Sequence, residues 1–566
     1  MWKKIFPAYG WISVYPVRYL GSDAVSGVTL AAYAIPVSLA YATLAGLPPQ
    51  YGIYGYLLGG ILYAMLGTGK QIAIGPTAAV SLLIGTTIAD MAGGDIQRWA
   101  DIASLTGLIF AGMSIIAYVI RLSGIVNFIS DTVLLGFKAG AAVTIGLTQL
   151  PKLFGVPGGG DNFFEHVIVL IEQLPQTDFT VLIFGISATA IIIAGEKFLP
   201  GRPIAIFVVI ISIILISVTS LGSAGFALVG VIPAGLPEFH LPSLNINDVD
   251  GVIPLAFACF MLAYIENVSA AKALAQKNGY EIDARQELLA LGTANLAVSL
   301  FHGYPVTGGL SQSVVNDKAG AKTPMSLLFA SATIALCLLF LTDMLKNLPV
   351  VILAAIVLVA IKSLIDIKEF KRLYKVNKYD FRIAIVALAG VILFGILNGV
   401  LLAAVVSLVL LLKEASNPHV AFLGRIPGTN KFSDLARHPD NENIPGVLLF
   451  RVESSLLYFN VTNIYNKVWQ KVLSCDESLK TVIFDLGSSP GVDLAGARII
   501  KRLYLNLKSK DISFKIADAY AGVRDMLRSE DLEHLLGRIS RMDTINEIVE
   551  DCVNKQKSNS ISEVKK

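Results

Sequence analysis

The sequence predicts an all-α polytopic membrane domain of fourteen spans, arranged as seven-plus-seven inverted repeats, with a cytoplasmic α/β domain after it. Charged residues make up only 15% of the chain, whereas soluble domains carry about a quarter. Apolar segments recur from Ala24 to Leu412, and the chain then becomes polar. From Gly446 onward, short strand patterns alternate with helical patterns, which indicates a small α/β domain.

The apolar segments form two sets of seven. The first set comprises residues 24–45, 52–66, 76–90, 101–120, 124–148, 179–195 and 203–221. The second set comprises residues 252–275, 286–301, 308–320, 326–342, 349–361, 380–395 and 397–412. The short third and tenth segments follow Gly and Pro residues at equivalent places in the two sets. This pattern predicts inverted repeats with a site between discontinuous helices.

Loop charge predicts that both termini lie in the cytoplasm. Basic residues gather in turns that would face the cytoplasm, above all 272–285 and 362–378, and acidic residues gather in opposite turns such as 236–250. This is the positive-inside distribution. Residues 1–23 are predicted to be a retained cytoplasmic lead-in, because they hold no apolar core followed by a cleavage site. The absence of an organellar targeting peptide favours a bacterial inner membrane.

The domain boundaries follow from changes of composition along the chain. Residues 24–412 are predicted to form the transmembrane domain and residues 413–445, which are rich in turn signals, a linker. Residues 446–553 are predicted to form the α/β domain, and the polar residues 554–566 a disordered tail.

Several function classes find no support in the sequence. A formal net charge of +3 gives no argument for a nucleic-acid partner. The four cysteines are scattered without metal-ligand spacing. The chain has no HExxH zinc motif, no Walker motif and no convincing Ser-His-Asp arrangement, so we expect neither an enzyme nor a cofactor.

A carboxylate stands inside one of the apolar segments. Glu266 lies in the run Val252–Ala271, where an acid costs about 2.5–3.5 kcal/mol on insertion and usually faces a bundle interior or a wet cavity. Further on, Pro305–Gly309 break the hydrophobic pattern, as happens where a half-helix points its N-terminus at an anion. Together these features predict a transporter that couples the movement of an anion to that of a second ion. The structural alternative pairs Glu266 with a lysine such as Lys272 or Lys318.

Five segments of the chain resemble a known family. They are residues 40–52, 67–68, 75–78, 266–275 and 303–323. In these segments the chain is similar to the SulP-type anion permeases, which include plant and bacterial sulfate transporters, prestin and pendrin. Its C-terminal part is similar to a STAS domain. The resemblance implies a core and a gate domain, an anion site between the facing N-termini of the third and tenth helices, and a homodimer in the lipid bilayer.

Two positions depart from the pattern of sulfate-transporting members. Gln312 stands where they commonly have arginine, and Val37 stands where they often have glutamine after the proline. Without the fixed cation a dianion is less well compensated. A monoanion such as bicarbonate, or a carboxylate, therefore stands beside sulfate as a candidate substrate.

The candidate site residues come from these segments. Those for contact with the anion are Tyr41, Thr77, Ala78, Gly309, Leu310, Ser311 and Gln312. Those for the coupling ion are Glu266, Asn267 and Ser269, with either a proton or Na⁺ at Glu266. For Asn267 and Ser269, a structural hydrogen bond to a neighbouring helix is an equally good hypothesis. Pro76 is expected in the first turn of the third helix, and Thr307 is expected to cap the tenth.

The sequence therefore predicts a secondary active transporter of a small anion of the sulfate, bicarbonate or dicarboxylate class, driven by H⁺- or Na⁺-coupled symport. Anion exchange or channel-like conduction is the alternative within the same class. A membrane sensor or scaffold that signals through the STAS domain to a cytoplasmic partner is the alternative from a different class.

Overall fold

The computed structural model divides the chain into two compact units, Met1–Ser407 and Leu408–Lys566. It describes residues 6–124, 130–160, 162–199, 203–219, 225–243, 246–475, 478–537, 539–540 and 543–564. Parts of the predicted lead-in, of two predicted spans and of the predicted tail lie outside the described residues, at 1–5, 125–129, 220–221 and 565–566.

The first unit is mainly helical and contains two short strands. Its first helices are α1 Pro7–Ser13, α2 Leu20–Leu44, α3 Pro49–Leu66, α4 Ala78–Ala92, α5 Ile96–Val119, α6 Asp131–Phe154, α7 Phe163–Gln173, α8 Phe179–Phe198 and α9 Ile204–Val218. The following helices are α10 Ile246–Asn278, α11 Ala284–Ser299, α12 Leu310–Lys318, α13 Met325–Phe340, α14 Thr342–Leu345, α15 Val350–Ile361, α16 Ile367–Val376 and α17 Lys378–Ala415. The strands β1 Ile74–Gly75 and β2 Thr307–Gly308 precede α4 and α12.

The predicted apolar segments coincide with these helices. The last two segments are the two halves of α17, which breaks at Gly395, a residue with a φ of 79° that only glycine adopts readily. Among the described residues, six helices are long and apolar enough to cross a membrane: α2, α5, α6, α8, α10 and the first part of α17. The count of fourteen spans stays a prediction. The short helices α7 and α16 were not predicted, because charged residues interrupt their apolar pattern.

The helices of the first unit pack in two groups. In one group, α11 packs against α5 and α3, and α13 packs against α2 and α3. In the other group, α15 packs against α6 and α8, and α8 packs against α9. The first group holds β1, β2, α4, α10 and α12 as well. α9 and α15 also pack against α2, where the two groups meet. We call the first group the core group and the second the gate group, after the predicted division, which stays a prediction.

The second unit is an α/β domain built on a five-stranded sheet of order β4-β3-β5-β6-β7. Its strands are β3 Val420–Arg425, β4 Phe432–Asp434, β5 Val447–Val452, β6 Thr481–Asp485 and β7 Ser513–Ala517. Its helices are α18 Val461–Leu473, α19 Leu494–Lys508, α20 Ala521–Ser529, α21 Leu532–Leu536 and α22 Ile545–Val564. β5, β6 and β7 are parallel, as helical crossovers require, and β3 pairs antiparallel with β4 and β5.

Two stretches of the C-terminal region differ from the sequence prediction. β3 and β4 lie within 413–445, which was predicted to be a linker, because a hairpin of such short strands has too few alternating residues to be recognised. α22 continues to Val564, within the predicted disordered tail. The beginning of α22 is anchored in the domain, where Ile545 and Val549 pack in an apolar cluster on the sheet.

Candidate functional site

The two breaks in the hydrophobic pattern meet each other inside the first unit. β1 pairs antiparallel with β2, with Ile74 opposite Gly308 and Gly75 opposite Thr307. Irregular backbone at membrane depth must find hydrogen-bond partners within the protein, and each break supplies them to the other. Because α4 and α12 start directly after this ladder, their N-termini lie close together.

Glycine is needed on both sides of the ladder. A Cβ atom on Gly308 would lie 2.1 Å from Oδ1 of Asn267, and a Cβ atom on Gly75 would lie 2.4 Å from the ring of Tyr56. Contacts this short are not seen for real side chains, so any larger residue would push the ladder away from α10 or α3. The glycines therefore permit the close approach that brings the two helix N-termini together.

The N-termini of α4 and α12 are not capped by their own side chains. Thr77 is the N-cap of α4 and Gly309 the N-cap of α12, and within the described residues neither makes a side-chain capping hydrogen bond. The first-turn N–H groups of both helices thus keep their capacity to bind an anion. Two expectations need correction. Pro76 does not lie in the first turn of α4, because it precedes the N-cap residue Thr77. Thr307 does not cap α12: its backbone belongs to β2, and its hydroxyl donates to the carbonyl of Ala263 at 2.6 Å.

A cavity of about 170 Å³ lies at these two N-termini. All but one of the predicted site residues line it: Tyr41, Thr77, Ala78, Glu266, Ser269, Gly309, Leu310, Ser311 and Gln312. The lining also includes Tyr33, Ala79, Lys138, Ala270, Ala360 and Leu364, none of which was predicted. The structure thus brings together residues of α2, α4, α10 and α12 that are far apart in the sequence.

Glu266 is tied to the N-terminus of α4. The hydroxyl of Thr77 donates to Oε2 of Glu266 at 3.2 Å, so a side chain at the helix cap contacts the carboxylate directly. Glu266 is half-buried. Among the described residues it forms no ion pair with Lys272 or Lys318, the partners that a purely structural acid would need. The ion pair that α10 does form with α12 joins Lys277 to Asp317 at 2.5 Å.

Asn267 lies outside the cavity. Its side-chain amide donates to Oε2 of Glu287 at 2.7 Å. Glu287 is fully buried and also accepts hydrogen bonds from the hydroxyl of Tyr63 at 2.7 Å and from the N–H and hydroxyl of Thr68 at 2.9 and 2.6 Å. This cluster joins α3, α10 and α11 behind the ladder. Asn267 therefore makes a structural hydrogen bond to a neighbouring helix, which was the alternative to a role in binding the coupling ion. Glu287 was missed, although an acid in an apolar segment is the same signal that pointed to Glu266.

Gln312 lines the cavity, but its side-chain amide is engaged in holding the ladder. Its Nε2 donates to the carbonyls of Ala73 at 2.8 Å and Thr307 at 3.2 Å, and its Oε1 accepts from the hydroxyl of Tyr56. Both amide hydrogens are thus used by the backbone. Val37, the other departure noted in the sequence, is buried and does not line the cavity.

Lys138 is the functional candidate that sequence reasoning missed. It lies in α6, within the predicted span 124–148, and with Glu266 it is one of two charged side chains on the described cavity lining. A lysine inside an apolar span is as costly as an acid. The argument that found Glu266 would therefore have found Lys138 as well.

Comparison with known proteins identifies the family. Residues 20–387 match the sulfate permease family and residues 438–548 match the STAS domain. The chain belongs to the sulfate permease family. It is therefore a transporter of anions rather than an enzyme, and the predicted STAS domain is confirmed.

A sequence relative supports the same assignment, and solved structures share the fold. This permease is 30% identical to a probable sulfate transporter of Mycobacterium tuberculosis, over 92% of this chain and 93% of the relative. Its fold resembles that of SLC26A9, with a TM-score of 0.85 at 21% identity over 99% of this chain and 94% of that one. It also resembles the transmembrane domain of the cyanobacterial bicarbonate transporter BicA, with a TM-score of 0.62 at 22% identity over 69% of this chain and 98% of that one. The predicted fold class, a helical membrane domain followed by an α/β STAS domain, is thereby confirmed, whereas the count of fourteen spans stays a prediction.

Proposed function

We propose that this permease is a secondary active transporter of a small anion of the sulfate, bicarbonate or dicarboxylate class, driven by symport of H⁺ or Na⁺ through Glu266. The observation that carries the proposal is one cavity lined by two helix N-termini without side-chain caps and by Glu266, with Thr77 joining the acid to one of those N-termini.

The anion binds to the N-termini of α4 and α12. Each helix end carries a positive dipole of about half a charge and first-turn N–H groups that lack an intrahelical partner. Residues Thr77, Ala78, Gly309 and Leu310 present these groups to the cavity, which Ser311 also lines. Backbone donors of this kind bind oxyanions and carboxylates alike, which is why the substrate is proposed as a class.

Glu266 provides the coupling. When ionised, its carboxylate repels an anion bound at the end of α4, to which Thr77 joins it. A proton or a Na⁺ ion at Glu266 removes this repulsion, so the anion and the coupling ion bind together. Ser269 lies one helical turn further along α10 and lines the same cavity, where its hydroxyl can serve as a ligand to Na⁺.

Transport follows from movement of the core group against the gate group. The site is built by α2, α4, α10 and α12 of the core, and Lys138, Ala360 and Leu364 of the gate group close its other side. A loaded site whose charges are balanced can pass the apolar gate, whereas an unbalanced charge is costly there. Rocking of the two groups exposes the site to each side of the membrane in turn.

We propose the inner membrane of a bacterium as the location, with both termini in the cytoplasm and a homodimer as the assembly. The loop charges support the orientation. The STAS domain is the part that we expect to bind a cytoplasmic partner. Labelling of single cysteines from either side of the membrane tests the orientation, and native mass spectrometry in detergent tests the dimer.

Uptake into proteoliposomes tests the transport proposal. Radiolabelled sulfate, bicarbonate and fumarate are each offered with and without an imposed pH or Na⁺ gradient. We expect gradient-driven accumulation of one anion, loss of that accumulation in Glu266→Gln, and normal accumulation in the exposed control Glu172→Gln. Accumulation that persists in Glu266→Gln would contradict the coupling role, and anion-for-anion flux alone would favour exchange. Binding without flux of any anion would favour the sensor.

A further inference from the structure

The cavity contains a cation for which the proposed function has given no role. Lys138 lies on α6, which belongs to the gate group, and lines the same cavity as the helices that carry the anion site. A charged lysine in a membrane-spanning helix costs about 2.5–3.5 kcal/mol on insertion scales, so such residues are found where function or a partner compensates for that cost.

No structural partner compensates for Lys138. Among the described residues it takes part in no ion pair or hydrogen bond, whereas Lys277 and Lys346 are each held by an aspartate. Within the described part of the chain, Lys138 and Glu266, the two charged residues of the cavity lining, do not form an ion pair. The ammonium group therefore keeps its hydrogen-bond donors for a ligand in the space between them.

Gln312 leaves the anion site without a cationic contact from α12, and Lys138 can supply that contact from α6. Gln312 brings no charge to the first turns of α12, and both of its amide hydrogens are bound to the carbonyls of Ala73 and Thr307. A cation that contacts the anion must therefore come from another helix. Among the cavity residues of the described chain, Lys138 is the one that can supply it.

We propose that Lys138 is the fixed cation of the anion site, and that its ammonium group contacts the bound anion from the gate side while the N-termini of α4 and α12 contact it from the core side. This inference rests on the proposed transport function and deepens it. Since Lys138 belongs to the gate and the other groups to the core, the anion bridges the two groups of helices. Its binding is thereby linked to their relative movement.

The charge balance then depends on Glu266. The two helix ends together contribute about one positive charge, and Lys138 contributes a second. With Glu266 ionised, the site has a net charge of about +1 and suits a monoanion. With Glu266 protonated or bound to Na⁺, the net charge is about +2 and suits a dianion. The inference therefore narrows the coupled transport of the proposed function to dianions such as sulfate and fumarate, because the charge of a monoanion is already balanced while Glu266 is ionised.

The test measures transport in proteoliposomes with sulfate, bicarbonate and fumarate as probes. Loss of one charge-assisted contact predicts that Lys138→Gln raises the KM of the transported anion about 10- to 100-fold. Lys138→Arg keeps the charge and is expected to stay within about threefold of the wild type. The control Lys197→Gln removes an exposed lysine of α8 outside the cavity and is expected to leave KM unchanged. Thermal unfolding in detergent without anion confirms that the variants are folded.

A double variant separates a ligand of the anion from a counter-ion of Glu266. Labelled-anion counterflow, which needs no coupling gradient, gives KM for Glu266→Gln and for Glu266→Gln with Lys138→Gln. If Lys138 contacts the anion, adding Lys138→Gln to Glu266→Gln raises KM about as strongly as Lys138→Gln raises it in the wild-type protein. If Lys138 only balances Glu266, the double variant transports with the KM of Glu266→Gln, and the inference is wrong.

Failure of the inference and failure of the proposed function give different results. An unchanged KM in Lys138→Gln, with wild-type transport intact, overturns the role of Lys138 alone. A wild-type protein that moves none of the three anions overturns the transport proposal. In that case sulfate binding to wild type and Lys138→Gln, measured by the anion-dependent shift in melting temperature, decides the role of Lys138 by itself: equal shifts in the two proteins would exclude it.

Discussion

The hydroxyl of Thr77 donates a hydrogen bond of 3.2 Å to the carboxylate of Glu266, and so joins the N-cap of α4 to the ionisable residue of α10. Thr77 is a helix cap whose side chain does not cap its own helix. Its hydroxyl donates to Glu266 instead, and the first-turn N–H groups of α4 stay available to bind an anion. One residue therefore contacts both components of the proposed symport site, the coupling group and the anion-binding helix end.

This contact predicts a specific effect of Thr77→Val. The change keeps the shape of the side chain but removes the donor, and a hydrogen bond to a charged group contributes about 1.5–3 kcal/mol. We expect accumulation to need a coupling-ion concentration shifted by about 10-fold or more. The measurement is the dependence of uptake on pH or Na⁺. Thr77→Ser, which keeps the hydroxyl, serves as the control, and an unchanged dependence in Thr77→Val would remove Thr77 from the coupling mechanism.

The ladder beneath the site predicts that Gly308→Ala destabilises the protein. The new Cβ would meet Oδ1 of Asn267 at 2.1 Å and a methyl group of Ile72 at 2.9 Å. Forced overpacking of this kind costs about 1–3 kcal/mol. We expect a lower melting temperature in detergent and less monodisperse protein on size-exclusion chromatography. Gly21→Ala is the matched control, since a Cβ atom there meets nothing within 4 Å. Equal melting temperatures of the two variants would show that the β1–β2 ladder can move away from α10 without loss of stability.

Glu287 and Glu266 are two intramembrane acids, and we expect opposite phenotypes for their substitution. Glu287→Ala leaves the donors of Tyr63, Thr68 and Asn267 without their acceptor, and each buried group left unpaired costs about 1–3 kcal/mol. The variant should therefore unfold at a markedly lower temperature, while the protein that remains folded keeps the wild-type KM. Glu266→Gln should keep its stability and lose coupling. A change of KM in folded Glu287→Ala would contradict this separation of roles.

The STAS domain offers a prediction for pH. Burial, and secondarily the charge of Asp485, raise the pKa of Asp518 above the ordinary range for an aspartate. The folded domain thus binds a proton at Asp518 more tightly than the unfolded chain does. This contribution to stability is complete below the unfolded value of about 3.9, and it is lost as pH rises through the folded value. Asp518→Asn should therefore stabilise the domain near neutral pH.

Asparagine suits this position for a second reason, because Asp518 has a φ of 53° that asparagine also adopts. The side chain can still accept the hydrogen bond that the N–H of Ile545 donates at 3.3 Å. The control is Asp511→Asn, which makes the same change at another positive φ, 56°. Hydrogen exchange of β7 in the full-length protein, measured from pH 4 to 8, gives the comparison. If protection of β7 against hydrogen exchange at neutral pH increases equally in the two variants, the effect comes from backbone conformation rather than from charge.

Local signals in the sequence were enough for much of the site. Glu266 could be recognised because an acid in an apolar run is costly wherever it lies, and the Gly and Pro residues before α4 and α12 mark broken helices without reference to any neighbour. By contrast, Gln312 could not be distinguished from an anion ligand. Its role depends on the carbonyl of Ala73 and the hydroxyl of Tyr56, which belong to a distant part of the chain.

The membrane fold, the α/β domain after it, the family and the positions of the broken helices could be predicted from the sequence, because hydropathy, turn residues and motifs are properties of short stretches of chain. The tertiary structure decided which side of each helix meets which neighbour. It placed Asn267 against Glu287 and outside the cavity, although Asn267 follows Glu266 directly in the chain. It also placed Lys138 of the gate in the same cavity as Glu266 of the core. The physical reason is that adjacent residues of a helix point about 100° apart, and only long-range packing selects the direction that faces the site.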